Sequence, residues 1–163
     1  MKYIGRQGDN LVLVLRPRDR EQWIFLLQRY PVYPASHHRL SLSPDAQTLA
    51  EQQQFLEETL TEQQRANQTL IEKFVRERLA PPPDEDENSP RAMRLTLTRA
   101  EVDWLLEVFN DVRVGFWVRL GRPDSEQMHS AQLMAARPLE CASMELAAWA
   151  ESFLLGALEI ASR

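Results

Sequence analysis

The sequence contains a single cysteine, Cys141, and no long apolar segment. One cysteine excludes a disulfide framework within the chain and favours a reducing compartment. A membrane-spanning helix needs about 18 or more consecutive apolar residues, and the most apolar stretch, residues 147–161, is interrupted by Glu151 and Glu159. The first ten residues lack the apolar core of a signal peptide. We therefore expect a cytoplasmic protein without a membrane partner.

Histidine and glycine are also scarce, with three and five residues respectively. His37 and His38 are adjacent, and adjacent side chains point in different directions, so they rarely bind one metal ion. No glycine-rich phosphate loop follows a predicted strand, and Cys141 has no base near it in the sequence to activate its thiol. We therefore predict no catalytic residues, no cofactor and no metal site, and we expect that the protein is not an enzyme.

The residues that are present predict one domain over residues 1–163, of the α+β class and predominantly α. Two apolar segments flank Gly8-Asp9, a pair that suits a two-residue turn, and they predict an N-terminal hairpin. Residues 94–97 alternate polar and apolar side chains and predict a third strand beside it. We expect a helical bundle that carries this small antiparallel sheet.

Five helices are predicted, at about 18–29, 44–79, 99–120, 125–136 and 139–161. Thr98 and Glu101 form a capping box where the third helix begins, and Gly121 suits the position after its end. The last helix has an apolar stripe that we expect to be buried, made of Leu146, Trp149, Phe153, Leu154, Ala157 and Ile160.

The longest predicted helix, residues 44–79, has an N-cap candidate in Ser43 and an apolar seam that includes Leu70. Its middle, residues 61–69, is polar on every side, so the segment is either one continuous helix or two helices that break before this stretch. We favour the continuous helix. Prolines followed by acidic residues then predict a disordered linker at about 80–92, and docking on a basic partner is its alternative role.

The predicted helix over residues 99–120 is apolar nearly all round, which is typical of a central helix or of one covered partly by a second chain. It carries five candidate structural or interaction residues: Asn110, Asp111, Arg113, Trp117 and Arg119. The two arginines lie at the margins of its main apolar face and can reach carboxylates of neighbouring helices. Their candidate partners are Glu140, Glu145 and Glu151. We expect these polar groups to orient and pair helices, and a binding site is the alternative.

Charge is distributed unevenly along the chain, whose formal net charge is −5. Residues 1–42 carry seven basic residues against three acidic ones, an excess that favours acidic partners or phosphates. The arginines of this part are Arg6, Arg16, Arg18, Arg20, Arg29 and Arg39. Asp103, Glu107 and Asp111 form an acidic stripe on the helix over 99–120, for which a solvated face is the default and a site for a cation or a basic partner is the alternative.

The segment RLTLTRAEVDWLLEVFNDVRVGFWVRLG, residues 94–121, resembles an uncharacterised bacterial family, the domain of unknown function twenty-seventeen. The helix of that family commonly reads Leu-Asn-Asp-Leu-Arg-Leu and then Thr-Arg-Leu-Gly, after a similar strand and capping box. The matching positions are Asn110, Asp111, Arg113, Arg119, Leu120 and Gly121. The resemblance implies a mainly helical cytoplasmic protein without an established activity. Genes of such proteins in actinobacteria often lie near the adaptor of the Clp protease, which implies a link to regulated proteolysis.

These observations together predict a non-enzymatic protein-interaction or regulatory protein that forms a homodimer and binds an unidentified protein partner. The alternative is a nucleic-acid-binding transcriptional regulator that uses the N-terminal arginines. Against that alternative stand the acidic net charge and the lack of a helix-turn-helix with a basic recognition face.

Overall fold

A computed structural model of the chain describes residues 1–37, 46–81, 91–128 and 130–162. The described residues form a three-stranded antiparallel sheet and six α-helices, and the sheet and the four longer helices share one apolar core. This confirms the predicted α+β class with helices predominating. The predicted N-cap at Ser43 and most of the predicted linker at 80–92 lie outside the described residues.

The sheet has the order β1-β2-β3, with β1 at Lys2–Gln7, β2 at Asn10–Leu15 and β3 at Met93–Leu97. The predicted hairpin and the predicted third strand are therefore confirmed. Gly8 takes a φ of 62° in the hairpin turn, a conformation that glycine adopts without steric cost. Alternate residues of β2, namely Leu11, Leu13 and Leu15, belong to the apolar core, because side chains two positions apart lie on the same face of a strand.

The helices are α1 at Pro17–Leu27, α2 at Ala46–Arg78, α3 at Arg99–Arg119, α4 at Ser125–Met128, α5 at Ala131–Ala136 and α6 at Pro138–Ala161, with a short 3-10 helix at Ala35–His37. The continuous form of the long helix is confirmed, since α2 runs without a break. The capping box of α3 is also confirmed. The Glu101 backbone N–H donates to Thr98 Oγ1 at 3.2 Å, and the Thr98 N–H donates to Glu101 Oε2 at 2.7 Å.

Two predictions about helices are wrong. Residues 125–136 form two short helices instead of one, because Ser130 caps the start of α5 and its side-chain oxygen accepts a hydrogen bond from the Leu133 N–H at 3.2 Å. Leu70, which the sequence predicts on the apolar seam of α2, is exposed, and the neighbouring Ile71 is buried instead. Near residue 70, the buried face of α2 is thus displaced by one residue from the predicted seam.

The core is centred on α3, which corresponds to the first of the two alternatives that the sequence left open for this helix. Its residues Val102, Leu105, Val108, Phe109 and Val112 are fully buried. The Trp23 ring of α1 meets the Phe109 ring edge to face, with a centroid distance of 5.3 Å and an interplanar angle of 71°. Apolar burial of this extent is the main source of stability in a domain of this size.

The buried face of α6 differs from the prediction. Leu154 and Ala157 are buried as expected, but Trp149 is 42% exposed and Ile160 is 60% exposed. The face that packs on the core is made mostly of small side chains: Cys141, Ser143, Ala147, Ala150, Leu154 and Ala157. Small side chains allow close approach between the helices, which explains why this face rather than the bulky one lies against α3.

Candidate functional site

Arg113 connects α3 to α6. Its Nε donates to Glu151 Oε2 at 2.8 Å, and its Nη2 donates to Asn110 Oδ1 at 2.7 Å. Among the three carboxylates proposed as partners, Glu151 is therefore the one that contacts this arginine. Burial raises the pKa of Glu151 by more than the charge and hydrogen bond of Arg113 lower it. The ion pair thus offsets part of the cost of placing a carboxylate between two packed helices.

Trp117 and Arg119 lie near the C-terminal end of α3. The Trp117 indole Nε1 donates to the Pro123 carbonyl at 3.0 Å and holds the chain as it leaves the helix. Arg119 lines a small cavity of about 260 Å³ together with Glu140. The ion pair of Glu140 is made with Arg137, at 3.3 Å. The pKa of Glu140 is lowered by a backbone hydrogen bond, then by Arg137 and the charge of Arg119.

Asp111 lies on another side of α3 and lines a cleft between α2, α3 and residues 30–37. The cleft has a volume of about 550 Å³, within the range of about 300–1,000 Å³ that is usual for small-molecule sites. Its polar lining consists of Glu107, Asp111, Arg122, Gln63, Gln64, His37 and Tyr33, and its more apolar lining consists of Tyr30, Pro31, Val32, Leu60, Val114, Gly115 and Val118. Charges of both signs therefore converge on one concave surface.

Contacts with α2 and α3 hold residues 30–37 in place, and a ring stack joins two residues within the segment. Gln64 Nε2 donates to the Tyr33 carbonyl at 3.0 Å. The rings of Tyr33 and His37 are stacked, with centroids 4.1 Å apart and planes 12° from parallel. Val32 packs directly over Gly115, where an added Cβ would lie only 2.5 Å from the Val32 Cβ. The glycine is therefore what permits this wall of the cleft to approach α3.

A buried hydrogen-bond network holds Tyr30, which lines the cleft. Asn67 Nδ2 donates to the Tyr30 hydroxyl at 3.1 Å, and Trp104 Nε1 donates to Asn67 Oδ1 at 3.1 Å. Burial raises the pKa of Tyr30, and the negative charges of Asp111 and Glu107 raise it further. Because a buried amide costs little only when its groups are paired, this asparagine joins α2 to its neighbours and explains one polar residue on the seam of α2.

Arg122 lines the cleft just beyond the C-terminal end of α3 and takes a left-handed conformation, with a φ of 58°. Its N–H donates to the Trp117 carbonyl at 2.9 Å, and the Gly121 N–H donates to the Val118 carbonyl at 3.0 Å. These two hydrogen bonds form a Schellman motif. The left-handed region is unfavourable for a residue with a Cβ, by about 1 kcal/mol, so the motif determines where Arg122 is placed.

The outer face of α6 carries a second candidate surface, the α6 strip, which consists of Trp149, Phe153, Gly156 and Ile160. The spacings of four, three and four residues place them along one side of the helix. The Trp149 and Phe153 rings have centroids 6.2 Å apart, and a Cβ added at Gly156 would meet no atom within 4 Å. Trp149 and Ile160 are exposed, whereas Phe153 is half-buried and packs partly against the core. The strip is therefore a partly exposed apolar surface with an open position near its middle.

Asp19 is buried at the start of α1 and is the acceptor for two positive groups. The N-terminal ammonium of Met1 lies 2.5 Å from its Oδ2, and Arg16 Nε lies 3.0 Å from the same atom. Burial alone would raise the pKa of Asp19, but hydrogen bonds from Arg16 and from the ammonium group outweigh it and hold this pKa well below its usual range. Arg16 is thus engaged within the fold.

Two further arginines of the basic N-terminal part also make contacts within the chain. Arg6 Nη1 donates to the Ala161 carbonyl at 2.8 Å, and the guanidinium carbon of Arg29 lies 3.4 Å from the centroid of the Phe25 ring. Arg39 lies outside the described residues.

The remaining chemistry of the described residues is limited. Cys141 is buried, and burial raises the pKa of its thiol. Among the residues that the structure describes, no group of histidine, cysteine and carboxylate side chains is arranged to hold a metal ion. In the same residues, no helix combines the length and the apolar character needed to cross a membrane.

Comparison with known protein families, with curated proteins and with solved structures finds no match to this chain. The resemblance of residues 94–121 to the uncharacterised bacterial family therefore stays a prediction.

Proposed function

We propose that the chain is a non-enzymatic interaction protein, with a regulatory role, that forms a homodimer through the α6 strip. The observation that carries this proposal is the exposure of large apolar side chains on α6, where Trp149 is 42% exposed and Ile160 is 60% exposed. Large exposed apolar side chains along one side of a helix are typical of protein–protein contacts.

The order of residues along the strip suits a second copy of the same chain. Trp149 stands four residues before Phe153, and Ile160 stands four residues after Gly156. Two antiparallel α6 helices related by a two-fold axis therefore place Trp149 against Ile160 and Phe153 against Gly156 of the second copy. We expect the open space over Gly156 to accept the exposed part of the half-buried Phe153 ring, so that the strip is complementary to itself.

The expected dimer is weak. A contact limited to one helix from each chain buries on the order of 1,000 Å² in total, at the low end for specific interfaces, and we expect a micromolar dissociation constant. Glu145 and Glu159 lie to one side of the strip rather than on its centre line, so the dimer does not require a carboxylate to be buried at its centre.

Sedimentation velocity at high micromolar concentration tests this proposal with two matched variants. Ile160→Glu places a charge in the strip, and we expect it to be a monomer. Leu155→Glu makes the same change at a residue that is 55% exposed and lies roughly 140° round the helix from Ile160, and we expect it to remain a dimer. A wild-type chain that stays monomeric would overturn the proposal, as would equal disruption by both variants.

The proposal includes a cytoplasmic location and the predicted link to regulated proteolysis. A nuclease-treated pull-down from the native host tests that link, and retention of a protease adaptor or an unfoldase would support it. Loss of all bound material after nuclease treatment would favour the nucleic-acid alternative. That alternative has less support, because Arg6, Arg16 and Arg29 already make contacts within the fold.

A further inference from the structure

We propose that the cleft between α2, α3 and residues 30–37 binds a small zwitterion of the basic amino acid type, with a cationic group at one end and a carboxylate at the other. This inference is independent of the dimer, because the cleft and the α6 strip share no residue.

The cationic group is bound at the α2 end of the cleft. Glu107 and Asp111 lie one helical turn apart on the same side of α3, and both line the cleft. Gln63 Nε2 donates to Glu107 Oε1 at 2.7 Å and so holds that carboxylate in place. The rings of Tyr30 and Tyr33 line the same space, and aromatic faces attract ammonium and guanidinium groups. Carboxylates and aromatic rings together therefore favour an organic cation.

The carboxylate is bound at the opposite end, by Arg122. Within the described residues the Arg122 side chain has no hydrogen bond or ion pair, while its backbone is fixed by the Schellman motif. A guanidinium group binds a carboxylate through two parallel hydrogen bonds. The position of this arginine is therefore set by the backbone, and its charge is available to a ligand.

The separation of the two ends determines the length of the ligand. α3 rises roughly 12 Å from Asp111 to its last residue, Arg119, and Arg122 follows three residues later. The reach of both side chains shortens this distance, which leaves space for an extended side chain such as that of arginine. Val114 and Val118 line the intervening part of the cleft and present apolar surface to the aliphatic stem of such a ligand.

Calorimetric titration of the full chain with three probes tests this assignment. L-Arginine carries both charges, L-citrulline has nearly the same shape but lacks the cationic head, and agmatine lacks the carboxylate. We expect saturable binding of L-arginine and binding of each analogue that is about tenfold weaker or more, which corresponds to about 1.4 kcal/mol. Absence of saturable L-arginine binding at millimolar concentration, or equal binding of all three probes, would overturn the proposal.

Matched variants assign the two ends. Asp111→Asn should weaken L-arginine binding about tenfold, whereas Asp103→Asn, the same change on α3 outside the cleft, should not. Arg122→Gln should abolish the preference for L-arginine over agmatine, whereas Arg119→Gln should preserve it. All four side chains are exposed, so we expect each variant to fold. If the control variants weaken binding as much as their counterparts, the cleft is not the binding site.

Discussion

Gly115 offers a sharp test of how the wall of the cleft is built. In the variant Gly115→Ala the new Cβ would lie 2.5 Å from the Cβ of Val32 and 2.9 and 3.0 Å from its two methyl groups. Real Cβ atoms do not approach so closely, so something must move. Gly115 belongs to the central helix of the core, and Val32 belongs to a half-buried connecting segment. We therefore expect Val32 and its neighbours to be displaced from α3.

Two opposing effects set the magnitude of this change. Alanine is favoured over glycine in a helix interior by about 1 kcal/mol. Insertion of an extra methyl group into a well-packed site costs typically about 1–3 kcal/mol, and a contact of 2.5 Å places this site in the upper part of that range. We therefore expect Gly115→Ala to lower the free energy of unfolding by about 1–2 kcal/mol.

Urea unfolding measures this effect, at a protein concentration low enough to avoid self-association. The control is Gly156→Ala, in the interior of α6, where the added Cβ meets no atom within 4 Å; we expect this variant to be more stable than wild type by about 0.5–1 kcal/mol. The double variant Gly115→Ala with Val32→Gly removes the Cβ of Val32 together with both methyl groups, and the double-mutant cycle should show a favourable coupling energy of about 1 kcal/mol. Equal stabilisation by both alanines would refute the close approach of Val32 to α3.

Three further predictions concern buried polar groups. Asn67→Leu leaves the buried Tyr30 hydroxyl and the partly buried Trp104 N–H without a partner, so it should lower the free energy of unfolding in urea by about 2–3 kcal/mol. Arg113→Ala should lower the free energy of unfolding by about 1 kcal/mol at neutral pH. The loss should be smaller in acid, because burial raises the pKa of Glu151 and its protonated carboxyl no longer needs a counter-charge. An equal loss at both pH values would contradict this reasoning. Asp19→Asn should lower the free energy of unfolding by on the order of 2 kcal/mol at neutral pH. Because the pKa of Asp19 is lowered in the folded state, the ionised carboxylate stabilises the fold at pH values above the ordinary carboxyl pKa, and this stabilisation is lost as the pH falls. The wild type and the variant should therefore have similar stability under strongly acidic conditions.

The elements that the sequence predicts well are those with local signals. The ends of α3 are marked by the Thr98–Glu101 capping box and by Gly121, and the apolar residues between them repeat at the helical period. The hairpin is marked by Gly8 in the same way. These features depend on neighbouring residues alone, so no knowledge of tertiary contacts was needed to place them.

The orientation of α6 could not be predicted in the same way. The helix has apolar residues on two faces, one bulky and one small, and periodicity alone does not show which face is buried. That choice depends on α3, against which small residues such as Ala147 and Ala150 pack closely. Bulky Trp149 is consequently left on the outside, where a reading based on hydrophobicity alone places it in the core.

The cleft could not be predicted from the sequence, because its walls come from three separate segments of the chain. The acidic stripe identified Glu107 and Asp111, but the sequence gives no indication that Tyr33 or Arg122 lies on the same surface. One signal did exist on α2, where Asn67 interrupts an apolar seam. A polar residue at such a position requires a partner, and the structure supplies two for it, Tyr30 and Trp104.

The most direct test of the central claim is an isotope-filtered nuclear Overhauser measurement on a sample mixed from labelled and unlabelled chains. Trp149 and Ile160 are eleven positions apart on one helix, roughly 16 Å, which is too far for a signal within a single chain. The antiparallel dimer predicts intermolecular signals between the Trp149 indole and the Ile160 methyl groups at high micromolar concentration. Absence of these signals in a sample that sedimentation shows to be dimeric would contradict the proposed pairing of the α6 strips.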